Sequence, residues 1–369
     1  MNVILKIINR LKFACFLSAI AFNALLIIPN SVFAEANFTG KTIKWVVPFS
    51  PGGGADVLAR FYAPLLSQEL PGKPNVEVFN MPGAGSTKGA NWFSSQGPID
   101  GSVIFSTSGS TQFPFLLDDP RVKYNYKDWE VILASSTGGV AYLPKELGDK
   151  WNIDPSSVLN TNFIFASQGA TRLDLIPLLA WNMLGMEVEP IFGIKGRADG
   201  RLMFERGYVN IDYQTSSSFL SKVQPLVDKG EAVPIMTWGV LDELGSIVRD
   251  PNFPGIPTFR EVYVKIHGKE PSGDDWNAWK AFFIAGFSAQ KMVVMNKTTN
   301  PEIINVFSEA FKKIIDQEDF IEISKNYLGV YHQSTGSEAR RFKEIATQID
   351  SKAIAWIKDW LKMSYDVEL

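Results

Sequence analysis

Cysteine is almost absent from the 369-residue chain: Cys15 is the only one, and histidine occurs twice, as His267 and His332. Cys15 falls within an N-terminal stretch laid out as a secretory signal, with Lys6, Arg10 and Lys12, then an apolar run from Phe13 to Ile28, then small residues around Ala34. Cleavage after Ala34 or after Ala36 satisfies the same rule, and the run is too short and interrupted, by Asn23 and Pro29, for a retained anchor. Lys12 excludes a lipidation site before Cys15. The exported chain is therefore expected to carry no thiol, which excludes disulfides and thiolate catalysis.

Other absences narrow the chemistry further. Neither histidine has a carboxylate or serine at a motif spacing, no aspartate cluster resembles a calcium loop, and no Gly-x-Ser-x-Gly elbow joins a strand to a helix. No metal, cofactor or catalytic residue is read from the sequence, and the protein is expected not to be an enzyme. Losing Lys6, Arg10 and Lys12 reduces the 36 basic residues to 33 against 39 acidic ones, a formal charge of −6. Nucleic acid is excluded as a partner on that balance. Beyond the leader no stretch is apolar enough to span a membrane.

What the chain does have is aromatic mass, ten tryptophans and 26 phenylalanines, enough for two packed domains. Ile43 to Phe49 reads as a strand, followed by Ser50-Pro51-Gly52-Gly53-Gly54 and a helix whose apolar face is Val57, Leu58, Phe61, Tyr62, Leu65 and Leu66, with a kink expected at Pro64. Val76 to Phe79, the loop Asn80 to Ser86 and a helix through Ala90, Trp92 and Phe93 repeat the unit. Two consecutive strand-loop-helix units imply parallel strands. A third strand, Val103 to Ser106, follows the turn Asp100-Gly101 and ends at Ser108-Gly109-Ser110. Phe163 to Ala166, the loop Ser167 to Thr171 and a helix through Leu173, Ile176, Ala180 and Leu184 use the same design again. Asn300-Pro301 marks a helix start, with Ile304, Phe307, Phe311 and Ile314 as its stripe.

Glycine loops at the carboxyl ends of parallel strands place free amides and a positive helix end in front of a ligand, so the two first loops suit one anion cradle. Turn formation alone is the other use of such glycines. The phosphate loops of nucleotide sites do not fit, because Gly54-Ala55-Asp56 stands where Gly-Lys-Ser/Thr is required, Val57 replaces a third small residue, and Asn80 replaces the ribose-binding acid. Asp56, in the first helical turn, is read either as a bond acceptor for loop amides or as a ligand contact.

Val46 to Asp56, Asn80-Met81-Pro82-Gly83-Ala84-Gly85 and Asp100-Gly101 together resemble the substrate-binding proteins of tripartite tricarboxylate transporters, the Bug receptors. Weaker echoes are Ser167-Gln168-Gly169, Lys195-Gly196, Pro257-Thr258 and Glu261. The resemblance implies an α/β, two-lobed periplasmic binding protein fold, each lobe a mixed, mostly parallel sheet flanked by helices, with the ligand in the interlobe cleft. Lobe 1 is expected at residues 37–133 plus 282–369, and lobe 2 at 134–281, with Ala281 to Ala285 returning as a strand. The implied function is a periplasmic receptor, monomeric, that captures a small carboxylated solute and delivers it to membrane permease subunits. Signalling to a membrane sensor, or an exported hydrolase, are the rival readings.

By the same resemblance the first-lobe contacts are Phe49, Ser50, Gly52, Gly53, Gly54 and Asp56 from the first loop, Gly83, Ala84, Gly85 and Ser86 from the second, and Ser108. The second lobe would offer Ser167, Gly169, Thr171, Arg172 and Asp212. Ser86 replaces a usual glycine, Gly193-Ile194 a usual proline-tyrosine pair, and Lys145 to Thr161 is longer than the pattern. Arg172, Arg197 and Arg201 are candidates for a second carboxylate, against a reading of Arg197 and Arg201 as solvated helix arginines.

Overall fold

In Thr42–Val47 (β1), β-branched residues and a tryptophan bury Ile43, Trp45, Val46 and Val47, as a sheet interior requires. The computed structural model describes residues 36–242 and 245–369, so the signal-like segment 1–34 lies outside the described residues. Along the first part of the chain follow Gly54–Glu69 (α1), Asn75–Asn80 (β2), Thr87–Gln96 (α2), Val103–Ser108 (β3), Gly109–Leu116 (α3) and Trp129–Ser135 (β4). The middle holds Gly139–Pro144 (β5), Lys145–Ile153 (α4), Phe163–Ser167 (β6), Leu175–Leu184 (α5), Val188–Phe192 (β7), Arg197–Glu205 (α6), Asp212–Thr215 (β8) and Ala232–Thr237 (β9). Asp274–Ser288 (α7), Lys291–Asn296 (β10), Pro301–Ile315 (α8), Gln333–Ser334 (β11), Gly336–Ala346 (α9) and Ser351–Tyr365 (α10) complete the elements used below.

The expected α/β class is borne out. A six-stranded sheet runs β11-β4-β10-β3-β1-β2, with β1 parallel to both neighbours and β10 antiparallel to β3 and β4. A three-stranded antiparallel sheet, β8-β5-β9, and a parallel pair, β6-β7, are formed by the middle of the chain. Parallel pairing therefore occurs where the strand-loop-helix units are, and the later strands bring the antiparallel edges. Helix α1 is one element through Pro64, with Val57, Leu58, Tyr62 and Leu66 buried. At α8 the Asn300 side chain accepts from the Glu302 amide at 2.9 Å with proline in the first turn, and Phe307, Phe311 and Ile314 are buried, as the sequence indicates.

One expectation fails. Ala281 to Ala285 is the interior of α7, and the strand that rejoins the large sheet is β10. A continuous apolar run carries no period by itself, and here Asp274 and Asp275 at the positive end and a length of 15 residues favour the helix. Trp279 and Phe283 stack on its buried face with centroids 5.0 Å apart, and α7 also packs on α10.

Candidate functional site

The first loop leaves β1 and enters α1 with Gly53 at the N-cap, where no side chain is available to bond the amides of the first turn. Those amides face a small cavity of about 30 Å³ lined by Phe49, Gly53, Gly54, Ala55, Ser108, Ser110, Gln168, Leu173, Arg197, Thr215 and Gln290. Gly54 is there by necessity: a Cβ on it would stand 2.2 Å from Thr215 Oγ1, so only glycine lets loop and β8 meet this closely. Ser50 donates to Asp199 Oδ2 at 3.0 Å, tying the loop to α6. Gly52 and Asp56 instead line a separate groove of about 540 Å³ with Arg60, Phe61 and Tyr327. Asp56 accepts from the Gly52 amide at 2.8 Å, from Arg60 Nε at 2.9 Å and from Asn80 Nδ2 at 2.9 Å. It is fully occupied in holding the loop to α1 and β2, and of its two readings this geometry carries the acceptor for loop amides.

The second loop turns through four consecutive residues with positive φ, Gly83 at 145°, Ala84 at 47°, Gly85 at 56° and Ser86 at 88°. A Cβ on Gly85 would lie 2.5 Å from Arg172 Nε, so this loop is shaped around that arginine. Ser86 faces inward, with its hydroxyl receiving a bond from Thr111 Oγ1 at 3.0 Å and donating to Ser110 O at 3.3 Å. We expect Gly85→Ala to lower stability by about 1–3 kcal/mol, through positive-φ strain plus overlap with Arg172. Gly185→Ala, also at positive φ but with nothing within 4 Å of the added methyl, is expected to cost only the backbone part, about 1 kcal/mol. Equal urea midpoints for the two variants would contradict this.

Ala84 and Gly85 line a larger cavity, of about 340 Å³, together with Arg121, Gln168, Gly169, Ala170, Thr171, Arg172, Phe192, Gly193, Tyr365 and Val367. Arg172 is 1% exposed, its Nη1 has no hydrogen-bond partner among the described residues, and its ion-pair partner, Asp119, is 3.8 Å away. Burial lowers its pKa, with Tyr124 and Asp119 opposing. Burial alone would raise the Asp119 pKa, but bonds from Arg121 outweigh it and hold the carboxyl below its ordinary value, so Asp119 is committed to Arg121. The loop carrying Arg172 is set by Asp174, which accepts from Ser167 Oγ at 2.9 Å, the Gln168 amide at 2.6 Å and Tyr213 OH at 2.8 Å.

Two sequence readings change here. Arg197 is not solvated: it lies between Phe165 and Tyr213, 4.7 Å from each ring centroid, and pairs with Asp212 and, at 3.5 Å, Asp174. Burial lowers its pKa, but Asp212 and Asp174 more than offset this, and the guanidinium stays charged. Asp212 lines neither cavity, since Arg197, Tyr142 OH and Gln214 Nε2 take its oxygens; it is a buried counter-ion rather than a ligand contact. Arg201 pairs with Glu205 along its own helix.

The structure thus divides the candidates. Phe49, Gly53, Gly54 and Ser108 surround the small cavity, and Ala84, Gly85, Gly169, Thr171 and Arg172 the larger one, with Gln168 lining both. Sequence reasoning missed Gln168, although it stands inside the quoted Ser167-Gln168-Gly169. It also missed Ser110, Arg121, Thr215 and Gln290, and nothing local marks Tyr365 and Val367, which reach the site only because α10 ends there. Among the described residues no His, Cys, Asp and Glu group is arranged to hold a metal ion, and no helix is long and apolar enough to cross a membrane.

No protein-family model matches the chain. A curated relative from Cupriavidus necator, a UPF0065 protein, is 23% identical over 313 residues, 82% of this chain and 84% of that protein. Another UPF0065 protein, from Pseudomonas sp. strain P51, is 31% identical over 112 residues, and the alignment spans only 32% of its length and 30% of this chain. Among solved structures, the periplasmic binding protein BugD superposes with a TM-score of 0.64 at 17% identity, covering 87% of this chain and 98% of BugD. MatC of Rhodopseudomonas palustris, solved with malate, gives 0.60 at 18% identity over 87% and 99%, and a second R. palustris protein, solved with adipate, 0.64 at 16% over 88% and 98%.

The architecture is that of a periplasmic binding protein. Within that class the fold is that of BugD and MatC, so the fold implied by the resemblance of the glycine loops is borne out.

Proposed function

We propose that this protein is a periplasmic solute-binding receptor that captures a small organic acid in the 340 Å³ cavity and passes it to the permease subunits of a tripartite tricarboxylate-type transporter. One observation carries the reading: Arg172, 1% exposed and with Nη1 unpaired among the described residues, lines that cavity. A buried Arg with a free donor face suits a carboxylate, which accepts two parallel bonds. The acids bound by MatC and the adipate-bound relative, both dicarboxylates, support the same class of ligand.

Two lobes are part of this proposal. On this reading the first crossing would lie at residues 136–138, a choice supported by β4 belonging to the six-stranded sheet and β5 to the three-stranded one. The second would lie at Ala289-Gln290, between α7 and β10. Opening at these crossings would admit the solute, and closing would cover it.

The test is a thermal-shift screen of the exported protein against organic acids, sugars and amines, because a ligand that binds only the folded state raises its melting temperature. Stabilisation by one or a few carboxylates is expected; stabilisation by neutral sugars or amines with none by acids would sink the reading.

A further inference from the structure

Lys291 is the first residue of β10, between Ser108 of β3 and Ser135 of β4, and is 3% exposed. Its Nζ donates to Ser217 Oγ at 3.2 Å, and this is the amine's one polar partner among the described residues. The side chain passes under the first loop, where a Cβ on Gly54 would meet Lys291 Cε at 3.1 Å and Nζ at 3.4 Å. Among the described residues no acidic group is paired with it. On α1, Asp56 is turned to Arg60 and Asn80; beyond Ser216, Asp250 is bonded to Tyr331; Arg197, across the small cavity, is a second cation paired with Asp212. From β3, β4 and β8 the facing groups are Ser108, Ser135 and Thr215, all neutral.

The small cavity, whose Gly54 wall this side chain passes under, is lined by two residues with unmatched groups. Gln168 Nε2 and Gln290 Oε1 are buried without partners, on side chains 6% and 3% exposed, and both residues line it with the free first turn of α1. A helix start and an unpaired amide donor meet at a space the size of one carboxylate or water, and the buried amine lies directly behind Gly54, one of its walls. We propose that Lys291 is the charge-matching residue of this subsite, taking up a proton when a carboxylate seats at the start of α1, so that solute capture is coupled to proton uptake.

This rests on the carboxylate reading above and deepens it. Burial pushes the Lys291 pKa down to about 7, so at pH 8 roughly nine-tenths of the amines are neutral. An anion beside the amine favours the charged form and raises that value again. The sign follows: affinity is full below pH 7 and falls as pH rises from 7 through the ligand-bound pKa, by up to about tenfold per unit.

The experiment is calorimetry of the exported protein with C4 to C6 dicarboxylates, malate and adipate included, at pH 8 in phosphate and in Tris. Buffer-dependent heats equivalent to nearly one proton taken up per acid bound are expected, vanishing in Lys291→Met while that variant still folds. In parallel, the Lys291 ¹³Cε resonance should titrate near pH 7 without acid and move upward with adipate, a readout that needs no variant. Binding with no buffer-dependent heat, proton uptake that persists in Lys291→Met, or a resonance unmoved by adipate would overturn this inference alone. Failure of every acid to bind would overturn it together with the proposed function.

Discussion

Arg172→Ala is expected to weaken binding of a dicarboxylate by about 30-fold or more, the effect of truncating one partner of a buried charge-assisted pair. A monocarboxylate should lose much less. On the proposed function the guanidinium serves this contact: Asp119, its ion-pair partner at 3.8 Å, is already bonded by Arg121, and its Nη1 has no hydrogen-bond partner among the described residues. Removing it does not strand a buried anion, because Asp119 keeps Arg121. Arg172→Met retains the volume packed against Gly85 and separates charge from packing, so both variants should fold and both should lose the dicarboxylate. Equal weakening of mono- and dicarboxylates in calorimetry would reject the assignment, since a second carboxylate would then have no part in it.

A second large effect is expected in stability. Asp212→Ala should destabilise the protein by about 3–5 kcal/mol, because it leaves Arg197 buried with only the weaker pairing to Asp174 at 3.5 Å. Tyr142 and Gln214 lose an acceptor in the same change. The double variant Arg197→Met with Asp212→Leu should recover much of the loss, since an apolar pair avoids the desolvation of two charges. Chemical denaturation of the two variants beside the unchanged protein measures the loss and the recovery. If Asp212→Ala leaves stability unchanged but lowers acid affinity, Asp212 is a contact after all and its place as Arg197's counter-ion is wrong.

These two residues also show where sequence reasoning worked and where it stopped. Arg172 was legible because it follows a strand and a glycine loop directly, and such a position is fixed by a few neighbouring dihedral angles. Arg197 was not, since nothing in Gly196-Arg197-Ala198 says that Phe165, Asp174, Asp212 and Tyr213, up to 32 positions away, close around it. Lys291 went unnoticed for the same reason. A lone lysine at a strand start reads as a solvated edge, and only the pairing of β10 between β3 and β4 buries it. The run Ala281 to Ala285 went wrong at the local level, because five apolar residues are compatible with either period and the length of the helix lay in its flanks.

The sequence by itself determined the strand-loop-helix units and the two glycine loops, set by contacts a few residues apart, and their repetition implied the parallel start of the large sheet. Tertiary structure decided which loop lines which cavity, which arginine is closely paired and which keeps an unbonded Nη1, that the end of α10 completes the larger cavity, and that a lysine is buried behind the first loop. Those outcomes depend on how distant segments share space and solvent, and the cost of burying a charge exists only once the chain has closed around it.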